Sequence, residues 1–152
     1  MCAGALKEGR SLTDQPLTLP PTFRDDVAQA MKAWRGDASQ DSPLDYLFLV
    51  QIALVEGSHS PRHATNQVLL RAIEMMAESH DREAEVLRLR FLNGELIYTV
   101  ANRFNISEPT VYRLQAQALD HLADTLAGME KGAHEARFTQ LEARLAPPSA
   151  AG

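Results

Sequence analysis

The sequence lacks a pair of cysteines, a long apolar run and the features of a signal peptide. Cys2 is the single cysteine among 152 residues, so neither an intramolecular disulfide nor a cysteine metal site is available. No stretch approaches the roughly 18 apolar residues that a membrane span requires. The first residues, Met1 to Pro21, also lack the apolar core of a signal peptide. These absences predict a soluble, cytoplasmic protein.

The short motifs of common enzyme classes are missing as well. No G-x-x-x-x-G-K-[ST], G-x-G-x-x-G, H-E-x-x-H or G-x-S-x-G element occurs, and the carboxylates are scattered without a distinctive constellation. His59, His63 and His80 suggest a metal site, but His59 and His63 lack a clear third ligand at a supporting spacing, so we interpret the three as surface histidines. The sequence therefore predicts no enzyme, no cofactor and no metal.

Positive charge is in short supply. The chain has 15 lysines and arginines against 20 acidic residues, a net charge of -5. Sequence-independent nucleic-acid binding comes mainly from lysine and arginine that displace counterions from phosphates. This balance is the main argument against a nucleic-acid-binding function.

What the sequence does have is apolar residues at helical spacing, without the alternation of strands. The patterns predict helices over residues 23–35, 43–56 and 61–79, the last two opened by a serine cap followed by proline. A hydrophobic content of 45% is enough for one ordinary core. The predicted fold is all-α, a helical bundle.

The second half predicts a helix from Asp81 that Asn93 and Gly94 terminate, and a second helix from about Glu95 to Phe104. Asn105 tolerates left-handed backbone angles, and Ser107 is suited to cap the next helix. That helix turns inward a stripe of Val111, Leu114, Ala118, Leu122 and Leu126. After Gly128 the pattern predicts a separate, weaker helix over residues 134–145.

The stretch VANRFNISEPTVYRL, residues 100–114, resembles the helix-turn-helix of the sigma-70 region 4 family, and more loosely those of response regulators and recombinases. Ala101 stands where the family has a small residue at the helix crossing, and Asn105 where glycine is more common. The family's buried positions are matched by Val100, Phe104, Ile106, Val111 and Leu114. The flanking residues 82–95 and 116–126 are also similar, so the resemblance covers residues 81–126.

The resemblance implies a recognition helix that enters the major groove of DNA. The candidate DNA-contacting residues are Arg103, Ser107, Glu108, Pro109, Thr110, Tyr112 and Arg113. We expect Thr110 and Arg113 to contact bases or phosphates, and Tyr112 a phosphate or a thymine methyl. The alternative is that these side chains form only a solvated helix face.

Arginines near the predicted turn are candidates for contact with the DNA backbone. Arg103 stands beside the turn, and Arg88 and Arg90 are placed to support it. Arg90 is equally suited to pair with Glu83 or Glu95.

The outward surface departs from the family at Glu108, where its members commonly carry arginine or another DNA-compatible residue. Residues 81–126 contain five arginines and seven acidic residues, a net charge of -2. Repulsion from phosphates must then be offset by the helix dipole or by dimerisation. Otherwise the scaffold serves as a protein-docking module.

The predicted organisation is a flexible arm (1–22), an N-terminal helical layer (23–79), a helix-turn-helix module (80–127), and a C-terminal helix and tail (128–152). Too little sequence precedes Asp81 for the other regions of a complete sigma factor. The predicted function is a sequence-specific, DNA-binding transcriptional regulator. Its expected partners are double-stranded DNA, RNA polymerase or another protein, and a second copy in a homodimer. The alternative is a protein-interaction adaptor or sensor built on a degenerate helix-turn-helix.

Overall fold

The computed structural model describes residues 19–36, 42–57 and 60–145. Within these ranges the regular elements are all helical, which confirms the all-α prediction. They are α1 (Phe23–Lys32), α2 (Phe48–Val55), α3 (Pro61–Ala77), α4 (Asp81–Leu87) with a π-helical turn (Arg88–Leu92), α5 (Ile97–Phe104) and α6 (Glu108–Leu145). Most of the predicted arm, residues 37–41, His59 and the tail from residue 146 lie outside the described residues.

The helix starts of the N-terminal layer depend on what their serines bond. Ser60 accepts the backbone N–H of His63 at 3.1 Å, so α3 begins at Pro61 as predicted. Ser42 instead accepts the N–H of Leu44 at 3.1 Å and bonds the hydroxyl of Thr65 at 2.6 Å. These bonds hold a turn, so the prediction that a helix begins at Pro43 is wrong and α2 begins at Phe48.

Two predicted helix ends lie further along the chain than the observed ones. Helix α1 ends at Lys32 because Ala33 to Gly36 form turns, with the N–H of Gly36 bonded to the carbonyl of Ala33 at 2.8 Å. Arg62, which is buried on α3, donates to that same carbonyl. This bond from Arg62 joins the turn after α1 to the start of α3. Helix α3 ends at Ala77 rather than at the predicted Ser79.

One core joins the N-terminal layer to α4 and α6. Its larger fully buried side chains are Val27, Met31, Leu44, Leu47, Val50, Leu69, Ile73, Met76, Leu87, Leu122 and Leu126. At its edge Arg24 of α1 contacts Asp120 at 3.3 Å and Asp124 at 2.6 Å, both on α6. None of the described helices is both long and apolar enough to cross a membrane.

Helix α6 is continuous from Glu108 to Leu145, so the predicted break after Gly128 is wrong. Glycine in a helix costs only about 1 kcal/mol relative to alanine, which tertiary contacts readily outweigh. Two residues past Gly128, the buried Glu130 accepts the N–H groups of Phe48 and Leu49, at 2.7 and 3.1 Å. This contact holds the second half of α6 against α2.

Candidate nucleic-acid interface

The segment that leads into the helix-turn-helix is shaped by the π-helical turn, Arg88–Leu92. The N–H of Glu95 bonds the carbonyl of Leu89 at 2.9 Å, and Gly94 has a φ of +70°. Because Glu95 is tied back in this way and Leu96 is extended, α5 begins at Ile97 and not at Glu95 as predicted. The prediction that the preceding helix ends at Asn93 and Gly94 is confirmed.

Arg90 holds this segment in place through hydrogen bonds and does not pair with a carboxylate. Its guanidinium donates to the backbone carbonyl of Glu95 at 2.7 Å and to the side-chain oxygen of Gln115 at 2.9 Å. The alternative in which Arg90 pairs with the carboxylate of Glu83 or Glu95 is therefore wrong. Arg88 lies 3.7 Å from Glu85, one turn earlier. Arg90 links the residues before α5 to α6.

The turn between α5 and α6 has the predicted chemistry. Asn105 adopts left-handed angles, with φ 55° and ψ 49°, and the N–H of Ile106 bonds the carbonyl of Ala101 at 3.0 Å. Ser107 Oγ accepts the N–H of Thr110 at 3.3 Å, and the hydroxyls of Ser107 and Thr110 lie 2.8 Å apart. Ser107 thus caps α6, as the sequence predicted.

A small second core fixes how α5 crosses α6. Leu89, Val100, Ala101 and Val111 are buried together, with Ile97, Phe104 and Ile106 partly buried against them. Ala101, at 5% exposure, leaves room for the two helices to approach closely. Leu114, predicted to face inward, is half-buried. The relative position of α5 and α6 is therefore set by packing as well as by the turn.

Four predicted site residues, Glu108, Pro109, Tyr112 and Arg113, are exposed at the N-terminal end of α6. We call these four the recognition edge. Residues four apart lie on one helix face, which groups Glu108 with Tyr112 and Pro109 with Arg113. The edge also stands at the end of α6 where the helix dipole is positive.

The other predicted site residues differ in what they bond. Ser107 is exposed and Thr110 is half-buried, and their hydroxyls bond each other as part of the cap. Arg103 is exposed on the last turn of α5, two residues before Asn105. Ser107 and Thr110 therefore already have a structural role, while Arg103 joins the exposed surface beside the turn.

Arg82 is a further basic residue near the turn that the site prediction missed. Its guanidinium carbon lies 5.4 Å from the ring centre of Phe104, the last residue of α5. This cation–π contact brings an exposed positive charge from α4 to the end of α5. The contact spans two helices, so no local sequence pattern indicates it.

Three acidic residues of the same segment already have partners away from the recognition edge. Asp120 and Asp124 both contact Arg24, and Glu83 bonds His121. Asp120 follows Glu108 by twelve residues, which corresponds to about 18 Å along a helix. Screening in physiological salt acts over about 8 Å, so the carboxylates of Asp120 and Asp124 act little on the recognition edge.

The comparison with protein families matches this part of the chain. Residues 80–124 match the family described as Sigma-70, region 4. These residues form a sigma-70 region 4-like helix-turn-helix segment. The region-4-like segment thus runs from the residue before α4 into α6 and contains the whole recognition edge, which confirms the predicted resemblance. The match indicates a helix-turn-helix of the DNA-binding kind. No curated protein and no solved structure matches the chain.

Proposed function

We propose that this protein is a sequence-specific, DNA-binding transcriptional regulator and not an enzyme. The observation that carries the proposal is the match of residues 80–124 to sigma-70 region 4. The described geometry supports it, because the recognition edge is exposed at the start of a capped helix. In this proposal the N-terminal end of α6 enters the major groove of double-stranded DNA.

The roles of the basic side chains follow from where they lie. Arg113, on the recognition edge, is the candidate for a bidentate contact to guanine. Arg103 and Arg82 flank the turn, where contacts to phosphates position a helix-turn-helix on the duplex. Tyr112 is placed to contact a phosphate or a thymine methyl. In this arrangement Arg113 selects sequence, and Arg103 and Arg82 supply affinity.

The overall negative charge is compatible with this assignment because of where the charges lie. Arg103, Arg113 and Arg82 are exposed near the turn, and Glu108 is the one carboxylate of the recognition edge. The segment's charge of -2 still removes the broad electrostatic attraction that drives sequence-independent binding. We therefore expect weak binding to random DNA, and specific binding that depends on few contacts.

The test is selection from a randomised duplex pool at low and at physiological salt, with wild type, Arg113→Ala and Arg137→Ala. Arg137 is a matched control because it is an exposed arginine on the same helix, outside the region-4-like segment. We expect wild type and Arg137→Ala to enrich the same sequence. Arg113→Ala should lose about 1–3 kcal/mol on that sequence if it makes a bidentate base contact.

The result decides between several assignments. Loss in Arg113→Ala on every sequence alike would assign Arg113 to phosphate positioning. Equal loss in Arg113→Ala and Arg137→Ala would remove the recognition edge from the interface. No retention of any duplex at low salt would overturn the DNA-binding function.

A protein partner is the second candidate, in the form of an adaptor or sensor. Leu96 and Tyr98 are 58% and 53% exposed at the start of α5, and large exposed apolar side chains are a feature of protein-binding surfaces. Domains of the matched family typically bind RNA polymerase as well as DNA. Pull-down with purified RNA polymerase, comparing wild type with Leu96→Ser/Tyr98→Ser, tests this surface. The homodimer also stays a prediction, which light scattering coupled to size exclusion tests.

A further inference from the structure

Two histidines and a glutamate meet where the first helix of the region-4-like segment packs on α6. His80 immediately precedes α4, Glu83 lies in its first turn, and His121 comes from α6. A ligand atom of each residue lies within 4.8 Å of those of the other two. None of the three belongs to the recognition edge or to the two apolar cores.

We propose that His80, Glu83 and His121 bind one Zn²⁺ ion. Two imidazoles and one carboxylate are a ligand set that zinc accepts, with a fourth position for water. The sequence alone did not indicate this site, because the third ligand, His121, lies 41 residues after His80. The fold adds His121 to His80 and Glu83, which are three residues apart in the sequence.

The contacts already present bring the donor atoms together. His121 Nδ1 and Glu83 Oε1 are hydrogen-bonded, and the rings of His80 and His121 stack with centres 4.1 Å apart at 13°. The Glu83 side chain is 14% exposed and that of His121 38%, so the carboxylate is largely removed from water. A metal ion would add a positive charge beside this largely desolvated carboxylate and so stabilise it further.

Binding requires a small rearrangement rather than a new fold. Zinc holds its ligand atoms at about 2.0–2.2 Å, which places them roughly 3.3–3.6 Å from one another in a tetrahedron. One imidazole must therefore tilt out of the stack so that both lone pairs converge. His80 is suited to this, because it is half-exposed and its backbone, with φ -134° and ψ 58°, is not helical.

The site ties α4 to the recognition helix. His121 lies eight residues after Arg113 on α6, and the other two ligands fix the start of α4. A ligand that binds only the folded state stabilises that state. Zinc therefore raises the melting temperature of the protein, independently of whether DNA is bound.

The experiment uses the full chain without a histidine tag, titrated with ZnCl₂ by calorimetry and with CoCl₂ by visible absorption. His80→Phe keeps a flat ring to stack on His121 but removes the ligand atom. Glu83→Gln keeps an oxygen that accepts a hydrogen bond from His121 but removes the charge. His63→Phe is the matched control, since His63 is exposed on α3 and outside the cluster.

We expect one Zn²⁺ per chain, a rise in melting temperature and the absorption of tetrahedral Co²⁺, all unchanged in His63→Phe. Loss of a residue that only supports a ligand weakens metal binding by about 10–100-fold, so His80→Phe should lose at least that much. Glu83→Gln should weaken binding too, and it serves if His80→Phe does not fold. In EDTA, His80→Phe should melt like the wild type, so that its loss of zinc binding is not a loss of folding.

Several outcomes would overturn the site. One is the absence of zinc binding up to millimolar concentration. A second is equal affinity in wild type, His80→Phe and Glu83→Gln. A third is zinc binding that disappears in His63→Phe.

Discussion

Glu130 Oε2 accepts the backbone N–H of Phe48 at 2.7 Å, across 82 positions of the sequence. The other carboxylate oxygen accepts the N–H of Leu49 at 3.1 Å, so Glu130 caps the N-terminus of α2 from the outside. His134, one turn further along α6, contacts the same carboxylate at 3.3 Å. One buried side chain therefore satisfies donors that α2 itself leaves open.

Glu130→Ala should lower the free energy of unfolding by about 2 kcal/mol, because it removes a charged acceptor and leaves two N–H groups unpaired. Urea unfolding followed by circular dichroism measures this. Glu135→Ala, an exposed change on the same helix, should stay within about 0.5 kcal/mol of the wild type. A similar loss in both variants would mean that the cap adds nothing.

Asn105→Gly should stabilise the protein by up to about 1 kcal/mol, because Asn105 holds left-handed angles that glycine adopts without cost. Asn105→Ala should destabilise it by about 1 kcal/mol for the same reason. The control is Asn102→Gly, within α5, which should cost about 0.5 kcal/mol. Thermal unfolding of the three variants checks these signs, and a destabilised Asn105→Gly would contradict them.

Alanine substitutions at two glycines should have opposite effects on the stability of the protein. Gly128 is helical and a Cβ there meets nothing within 4 Å, so Gly128→Ala should add about 0.5–1 kcal/mol of stability. Gly94 has a φ of +70°, and a Cβ there would clash with Nη1 of Arg35, which donates to the carbonyl of Asn93. Gly94→Ala should cost about 1–2 kcal/mol. Chemical denaturation measures both, and a stabilised Gly94→Ala would exclude this account.

Tyr46 should make the stability of the folded state depend on pH in the alkaline range. Partial burial, and then its 2.7 Å hydrogen bond to the Asp26 carboxylate, raise the pKa of this phenol above its usual value of 10.0. The folded state therefore favours the neutral phenol. The stability this contributes is complete below pH 10 and is lost as the pH rises towards the raised pKa.

Tyr46→Phe should be less stable than the wild type by about 1 kcal/mol at pH 7, and this gap should narrow above pH 10. Unfolding curves collected across the alkaline range measure the gap. Tyr98→Phe, at an exposed position of α5, should match the wild type within about 0.5 kcal/mol at pH 7. A gap that stays constant to high pH would refute the role of the Tyr46 hydroxyl.

Glu108→Gln should strengthen DNA binding by about threefold at physiological salt, because it removes one like charge near the phosphates. It should also cost about 0.5 kcal/mol of stability, since Glu108 lies in the first turn of α6 where the helix dipole favours a carboxylate. Fluorescence anisotropy with the selected duplex measures the affinity. Glu142→Gln, exposed near the other end of α6, should leave it unchanged.

The helix-turn-helix was predictable because its determinants are local. The left-handed turn at Asn105 and the cap at Ser107 are set by residues within a few positions of each other. The apolar spacing that buries Val100 and Val111 is equally local. Residues 100–114 therefore specified the region-4-like segment and the exposed recognition edge.

The errors lie where distant residues override a local signal. Ser42 and Pro43 have the pattern of a helix start, but Thr65 engages the Ser42 hydroxyl in a turn. Gly128 has the pattern of a helix end, but the contact of Glu130 with Phe48 keeps α6 intact beyond it. The approach of Arg82 to Phe104 and of His121 to Glu83 depends in the same way on how helices pack.

Helix α6 begins at the recognition edge and also contacts α1 through Asp120, α4 through His121 and α2 through Glu130. Under the proposed function, a protein docked on any of these helices would thus be held at a fixed rotation about the DNA axis. Simultaneous binding of the DNA and of this protein would then depend on the side of the duplex that the recognition site faces. Moving the recognition site by 5 base pairs should place the partner on the opposite side of the duplex, and moving it by about 10 should restore its position.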